Sequence, residues 1–333
     1  VSIETFAFAS CSQLTGDLII PDSVLTVDFG AFSVCSSLNG SLVLSKNLRS
    51  ISNSCFERCK ELRGQIRIPE SVQLIESYAF FDCSKLTGDL IIPKSVTSVD
   101  SYAFSYCSGL DGQLKIESEL DAIKLFCFQS CTKLKGELIL PSTITIIEPY
   151  AFYECYGFSG PLIIPNSVLD IGRYAFSYCR GFNGKLTLSN NLKVINSYSF
   201  QHCSELTGEL NIPSSVKVID SYSFFNCSQL WGSLIIPDSV VNINNGAFLD
   251  CVGFNESLIL GYNLTSIGLF SFQNCCGFTG SLIIPESIQI IEPYAFNNCS
   301  KLSGDLVIPD NVTAIDYFAF CDFNDCSVLY QNR

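Results

Sequence analysis

The chain has 333 residues, 32 of them acidic and 19 Lys or Arg, for a formal net charge of -13. Nucleic-acid binders need a Lys/Arg footprint and anionic lipid draws basic segments, so the charge argues against both and suits solubility and basic partners. No apolar run reaches the ~18 residues of a spanning helix, and no membrane span is expected.

Met is absent, and Ile3 and Phe8 already fit the pattern that follows. The chain therefore opens inside a repeat, with a partial coil at 1–10, and reads as a processed form or a piece of a longer protein. From Phe8 to Phe320 a Phe recurs every 24 residues, and from Cys11 to Cys299 a Cys stands three residues after it. Length alone suggests two domains, but an unbroken repeat makes a quasi-one-dimensional body, so residues 1–333 are expected to form a single solenoid of about 14 coils. At 321–333 the beat slips: Phe323 stands where Cys is due and Cys326 follows, which marks an irregular terminal coil or cap.

With the ladder Cys as place 1, the coil Cys83–Tyr106 reads CSKLTGDLIIPKSVTSVDSYAFSY. Place 4 is Leu or Phe, and place 6 is Gly in twelve of thirteen coils, which calls for positive φ or close backbone approach. Places 8 and 10, as in Leu90 and Ile92, alternate as a short strand does, and Pro93 at place 11 closes it. Places 14 and 17, as in Val96 and Val99, leave room for a second short strand. Ala103-Phe104 and Cys107 close the coil with Phe and Cys three apart, on one face of an expected helical turn. Places 1, 4, 8, 10, 14, 17 and 22 are then the inward set. Each buried side chain contributes roughly 1.5–3 kcal/mol, less in sum than ordering a lone coil at about 1–2 kcal/mol per residue, so coils fold only when stacked.

Thirteen of the eighteen cysteines fall on the ladder. Stacked rungs about 4.8 Å apart do not rule out bridging, but ladder side chains point together into a core, where Cys behaves as a small hydrophobe. The ladder is read as buried free thiols, with Phe80, Cys83, Phe104, Cys107, Phe128 and Cys131 as its central structural rungs. Cys321 and Cys326 are the better candidates for a disulfide.

The Leu-Ile-Ile-Pro strand followed by Ala-Phe-x-x-Cys, from Ile3 to Phe320, resembles the BspA-like leucine-rich repeat family. The family's common unit is 23 residues, and here an extra residue sits in the Leu86–Asp89 segment. The resemblance implies a leucine-rich repeat of parallel strands joined by short helical or irregular turns. It also implies microbial cell-surface proteins, often adhesins, that bind host or matrix proteins and carry no catalytic residues in the repeats.

Because places 8 and 10 point in, place 9 points out. It is apolar at Ile19, Val43, Ile91, Ile139, Ile163, Ile235, Ile259, Ile283 and Val307 and polar at Arg67, Lys115, Thr187 and Asn211. The unbroken block from Ile235 to Val307 is either a binding or self-association stripe or plain β-propensity under partial cover from place 7. A second ladder at place 20, including Tyr78, Tyr102 and Tyr222, reads mainly as cover for a solenoid edge, with packed rings and wet hydroxyls. Acids at place 18, such as Glu76, Asp100 and Glu292, lack the clustered ligands of a Ca²⁺ loop and read as a solvated edge. His202, the one histidine, adjoins ladder Cys203, and neighbours in sequence point apart, so no nucleophile pair is expected. Six N-x-S/T sequons, at Asn39, Asn226, Asn255, Asn263, Asn298 and Asn311, permit a secreted location, although Asn226 and Asn298 directly precede ladder cysteines.

The expected function is that of a non-enzymatic cell-surface or secreted protein that uses a solenoid face to bind a host, matrix or like protein, without cofactor or metal. The alternatives are a structural protein that self-assembles into a homo-oligomer, filament or lattice, and an intracellular repeat scaffold.

Overall fold

Short strands form at the second apolar pair of the coils and, in two coils of every three, at the first, and the described residues contain no helix. The computed structural model describes residues 1–323 and 328–330. Its contacts divide it into two compact units, Val1–Ser159 and Gly160–Arg333, each a parallel β-solenoid in which residues 24 apart pair, as Leu114 does with Leu90 and Val218 with Val194. The inward set is buried as expected. In the coil from Cys83, the side chains of Cys83, Leu86, Leu90, Ile92, Val96, Val99 and Phe104 are all within 2% of full burial, and Ala103 joins them. The ladder phenylalanines stack ring on ring, with centroids 5.4 Å apart for Phe56–Phe80 and 5.3 Å for Phe80–Phe104, planes 11° apart in both.

The expected helical turn at Ala-Phe-x-x-Cys is replaced by two successive turns. Ala79, Phe81 and Cys83 donate their N–H within the coil, to Glu76, Tyr78 and Phe80 carbonyls. The alternate residues Tyr78, Phe80 and Asp82 donate to Ser101, Ala103 and Ser105 of the next coil, at 3.2, 2.8 and 2.8 Å. A helix would keep all six N–H groups to itself. Here half of them tie one coil to the next, which requires a left-handed residue at each end of the segment, Tyr78 at φ 59° and Asp82 at φ 57°. For a side chain with a Cβ that conformation costs about 1–2 kcal/mol, offset by the inter-coil bonds and ring stacking.

The continuous ladder lies at places 16–17. In the second unit it runs through six strands, Val194–Ile195, Val218–Ile219, Asn242–Ile243, Ser266–Ile267, Ile290–Ile291 and Ala314–Ile315. The row at places 8–10 is different: it pairs only two coils at a time. Leu18–Ile19 pairs with Leu42–Val43 and Leu90–Ile92 with Leu114–Ile116 in the first unit. Leu162–Ile163 pairs with Leu186–Thr187 and Leu234–Ile235 with Leu258–Ile259 in the second. The coil after each pair contributes no strand there, and its one bridge joins Asn211 to Ile235 of the coil beyond.

The true unit is thus three coils, and its sequence marks repeat with it. The second coil of each triplet lacks Pro at place 11, carrying Ser45, Glu117, Ser189 or Gly261. It also has Asn or Asp at place 5, whose Oδ1 accepts the Gly N–H of the first coil: Gly16 to Asn39 and Gly88 to Asp111, both 2.8 Å, and Gly232 to Asn255, 2.9 Å. In the second coil Glu117 can donate its N–H to Ile92 of the first. In the third, Pro69, Pro141, Pro213 and Pro285 have no N–H to give to the second. Place 6 glycines divide the same way. Gly64, Gly88 and Gly136 have positive φ, whereas at Gly40, Gly112 and Gly184 a Cβ would strike the backbone of the coil before.

Amide exchange should expose the third-coil gap: the Ile139 N–H is expected to exchange faster than those of Leu90 and Glu117, which are bonded to the Gln113 and Ile92 carbonyls, and equal protection measured by mass spectrometry would contradict an open seam.

Candidate functional site: the outward strand face

Place 9 points outward as alternation requires. Ile19, Val43, Ile139, Ile163, Ile235, Ile259 and Ile283 are exposed, Ile139 by 71% and Ile283 by 77%. Ile91 and Val307 are only half-exposed. The Ile235–Val307 block is not one even ladder: Ile235 pairs with Ile259, but no bridge carries the row from Ile259 to Ile283. A cleft opens at that step, between Ser257, Ile259 and Tyr262 on one side and Ser281 and Ile283 on the other. Clefts open at the same step of other triplets, with Lys115 and Glu117 facing Glu137 and Ile139, and with Lys185 and Thr187 facing Asn211. The three-coil spacing of these clefts was readable in the missing prolines, but a count of single coils treats those positions as exceptions.

The place 20 rings form columns. Tyr78, Tyr102, Phe126 and Tyr150 stack at 4.6, 4.6 and 4.5 Å, and Tyr174, Tyr198 and Tyr222 at 4.5 and 5.1 Å. Within a column ring faces are spent on neighbours and only edges meet solvent, which removes the flat platform that a stacking ligand needs. Carboxylates at place 18 have an assigned structural task. Glu76 accepts the Asn53 N–H at 3.0 Å, Glu148 that of Leu125 at 2.8 Å, and Glu292 that of Leu269 at 3.1 Å, each reaching from a third coil to the second. Among the described residues no three His, Cys, Asp or Glu side chains gather to hold a metal.

The ladder cysteines are free thiols, and their environment is hydrogen-bonded as well as apolar. Each Sγ–H donates to the Phe carbonyl of the coil before, Cys83 to Phe56 at 3.0 Å, Cys107 to Phe80 and Cys131 to Phe104 at 3.1 Å. Burial pushes the Cys83, Cys107 and Cys131 thiols well above the usual range. Cys203 donates to Phe176, whereas the His202 ring sits between Tyr178 and Phe225 with Nδ1 against the Asn226 amide at 2.9 Å. Burial, then Arg180, lowers the His202 pKa, and the pair forms no nucleophile–base contact. Four sequon amides are engaged through Nδ2: Asn226 with His202, Asn298 with Asn274, Asn263 with Asp238 and Asn311 with Glu286. Cys326, the proposed partner of Cys321, lies outside the described residues.

The family model for the BspA type leucine rich repeat region matches the chain in six copies, over residues 1–135, 110–231 and 230–331. Among solved structures, a leucine-rich repeat protein from Bacteroides ovatus is similar over 100% of this chain and 88% of its own, at 22% identity and TM-score 0.70. A leucine rich cell surface protein from Faecalibacterium prausnitzii is similar over 100% of this chain and 83% of its own, at 25% identity and TM-score 0.53. The pneumococcal vaccine antigen PcpA is similar over 99% of this chain and 74% of its own, at 16% identity and TM-score 0.50. No curated protein sequence matches the chain.

A buried thiol whose folded pKa lies above its unfolded value of about 8.5 contributes its stability in full below that pH and loses it as pH rises toward the folded value. Chemical denaturation should therefore show stability falling above roughly pH 9. At pH 8 a thiol reagent should label the half-buried Cys11, Cys276 and Cys321 and spare Cys107 and Cys131 until the chain unfolds; rapid labelling of the ladder in the native state would overturn this assignment.

Proposed function

Because the chain belongs to the BspA-type leucine-rich repeat family, we propose that it is a non-enzymatic, cell-surface or secreted protein that binds other proteins through the outward strand face of its solenoid. The observation that carries this is the set of seven exposed Ile and Val side chains at place 9, on a row where a polar residue would serve the fold equally well, as Thr187 and Asn211 do. Hydrophobic side chains held on a rigid backbone lose little conformational freedom when a partner covers them. The block from Ile235 to Ile283, with Trp231 and Tyr262 exposed beside it, has the apolar and aromatic character of an interface centre. Surface location is supported by the family and by the cell surface protein among the similar structures. The remaining polar clusters have structural tasks in the coil: carboxylates cap backbone N–H groups, thiols donate to carbonyls, and His202 is held by Asn226.

Changing Ile235, Ile259 and Ile283 together to Thr should leave far-UV circular dichroism and thermal melting unchanged and lower capture of a partner from an array of immobilised extracellular proteins by tenfold or more. Undiminished capture by that variant would remove the strand face from the proposal.

A further inference from the structure

The cleft between the second and third coils of a triplet recurs with different chemistry, and in the first unit it is charged. Its walls are Leu114–Ile116 with Glu117 on one side and Glu137 with Ile139 on the other. Leu114–Ile116 is bonded to Leu90–Ile92 along one edge only; among the described residues no backbone hydrogen bond joins its other edge to residues 137–140. Ile139 is 71% exposed at the mouth. Lys115 is already paired, with its Nζ 3.0 Å from Asp89. Glu117 and Glu137 form no ion pair among the described residues. The corresponding clefts of the second unit have no carboxylate in their walls.

Together these features define one kind of occupant. An open strand edge offers main-chain pairing to an extended segment, an exposed aliphatic side chain offers an apolar contact, and two exposed carboxylates at the cleft, neither in an ion pair, favour a cation between them. We infer that the cleft between Lys115 and Ile139 receives an extended, Lys- or Arg-bearing segment of a partner protein, with an aliphatic side chain on Ile139 and a cationic one between Glu117 and Glu137. This inference rests on the protein-binding reading of the strand face and adds the partner's chemistry at one position.

Isothermal calorimetry of the whole chain with an acetylated and amidated seven-residue peptide of alternating Lys and Val tests it, with the Glu and Val counterpart as comparison. The Lys and Val peptide should bind, weakening as salt rises toward 0.15 M and the screening length falls to about 8 Å. Binding should fall at least tenfold in the double variant Glu117→Gln, Glu137→Gln and several-fold in Ile139→Thr. The double variant Glu205→Gln, Glu209→Gln removes the same charge from exposed positions elsewhere and should bind as the parent does. Circular dichroism should show all variants folded. Equal losses in the two double variants would reduce the effect to net charge, and no preference for the Lys peptide, or no binding, would equally overturn the assignment. If the Ile235, Ile259 and Ile283 variant loses its captured partner while the Lys peptide fails to bind, the cleft assignment alone is wrong.

Discussion

The structure depends on the division of backbone N–H groups in the segment before each ladder Cys. Three of six donate inside the coil and three to the next, so no coil can complete its hydrogen bonds alone. Buried backbone donors are rarely left unpaired, and here the pairing is carried by the stacking itself. The phenylalanines, the thiols and the place 20 rings all follow from it. Each is held at the spacing of its backbone, with ring centroids 5.0–5.8 Å apart along Phe8, Phe32, Phe56, Phe80 and Phe104. The thiol is the one ladder side chain that adds a directional contact, giving the Phe carbonyl a second donor beside the Cys N–H.

Much of this architecture was legible residue by residue. A strict period, alternation at Leu90–Ile92 and the Phe and Cys columns determine which side chains enter the core, and in the coil from Cys83 all seven inward places are buried. The same alternation locates the outward Ile. The turn conformation was not legible from Phe104 and Cys107, because a spacing of three suits one helical turn as well as two linked turns. The signal lay beside them. In some coils place 24 is Asp or Asn, as at Asp82, Asn226, Asp250, Asn274 and Asn298, and in two place 20 is Gly, Gly30 and Gly246, residue types that tolerate the left-handed region.

The strand face was half legible. Exposure at Ile139, Ile259 and Ile283 follows from the pattern within a coil, but the clefts beside them follow from differences between coils. A pattern averaged over thirteen coils hides a rule that holds in one coil of three. Ser45, Glu117, Ser189 and Gly261 replace Pro at steps of 72 residues, and Cys55, Cys127, Ser199 and Ser271 replace the buried Ala at the same steps. Each substitution is unremarkable alone; their common period is what identifies them as parts of one interface between coils.

That period sets a grammar for how such a chain can grow or shrink. Removing 24 residues would bring together two coils that do not normally meet, for example a third-coil Pro opposite a first-coil strand that waits for Glu117 or Ser189. Removing 72 would rejoin like with like, and every Asn39-type contact, every Glu76-type cap and every cleft would find its usual neighbour. The molecule's natural letter is the coil, but its shortest word is three coils long, and in three of these words an opening lies on the face where a partner is proposed to sit.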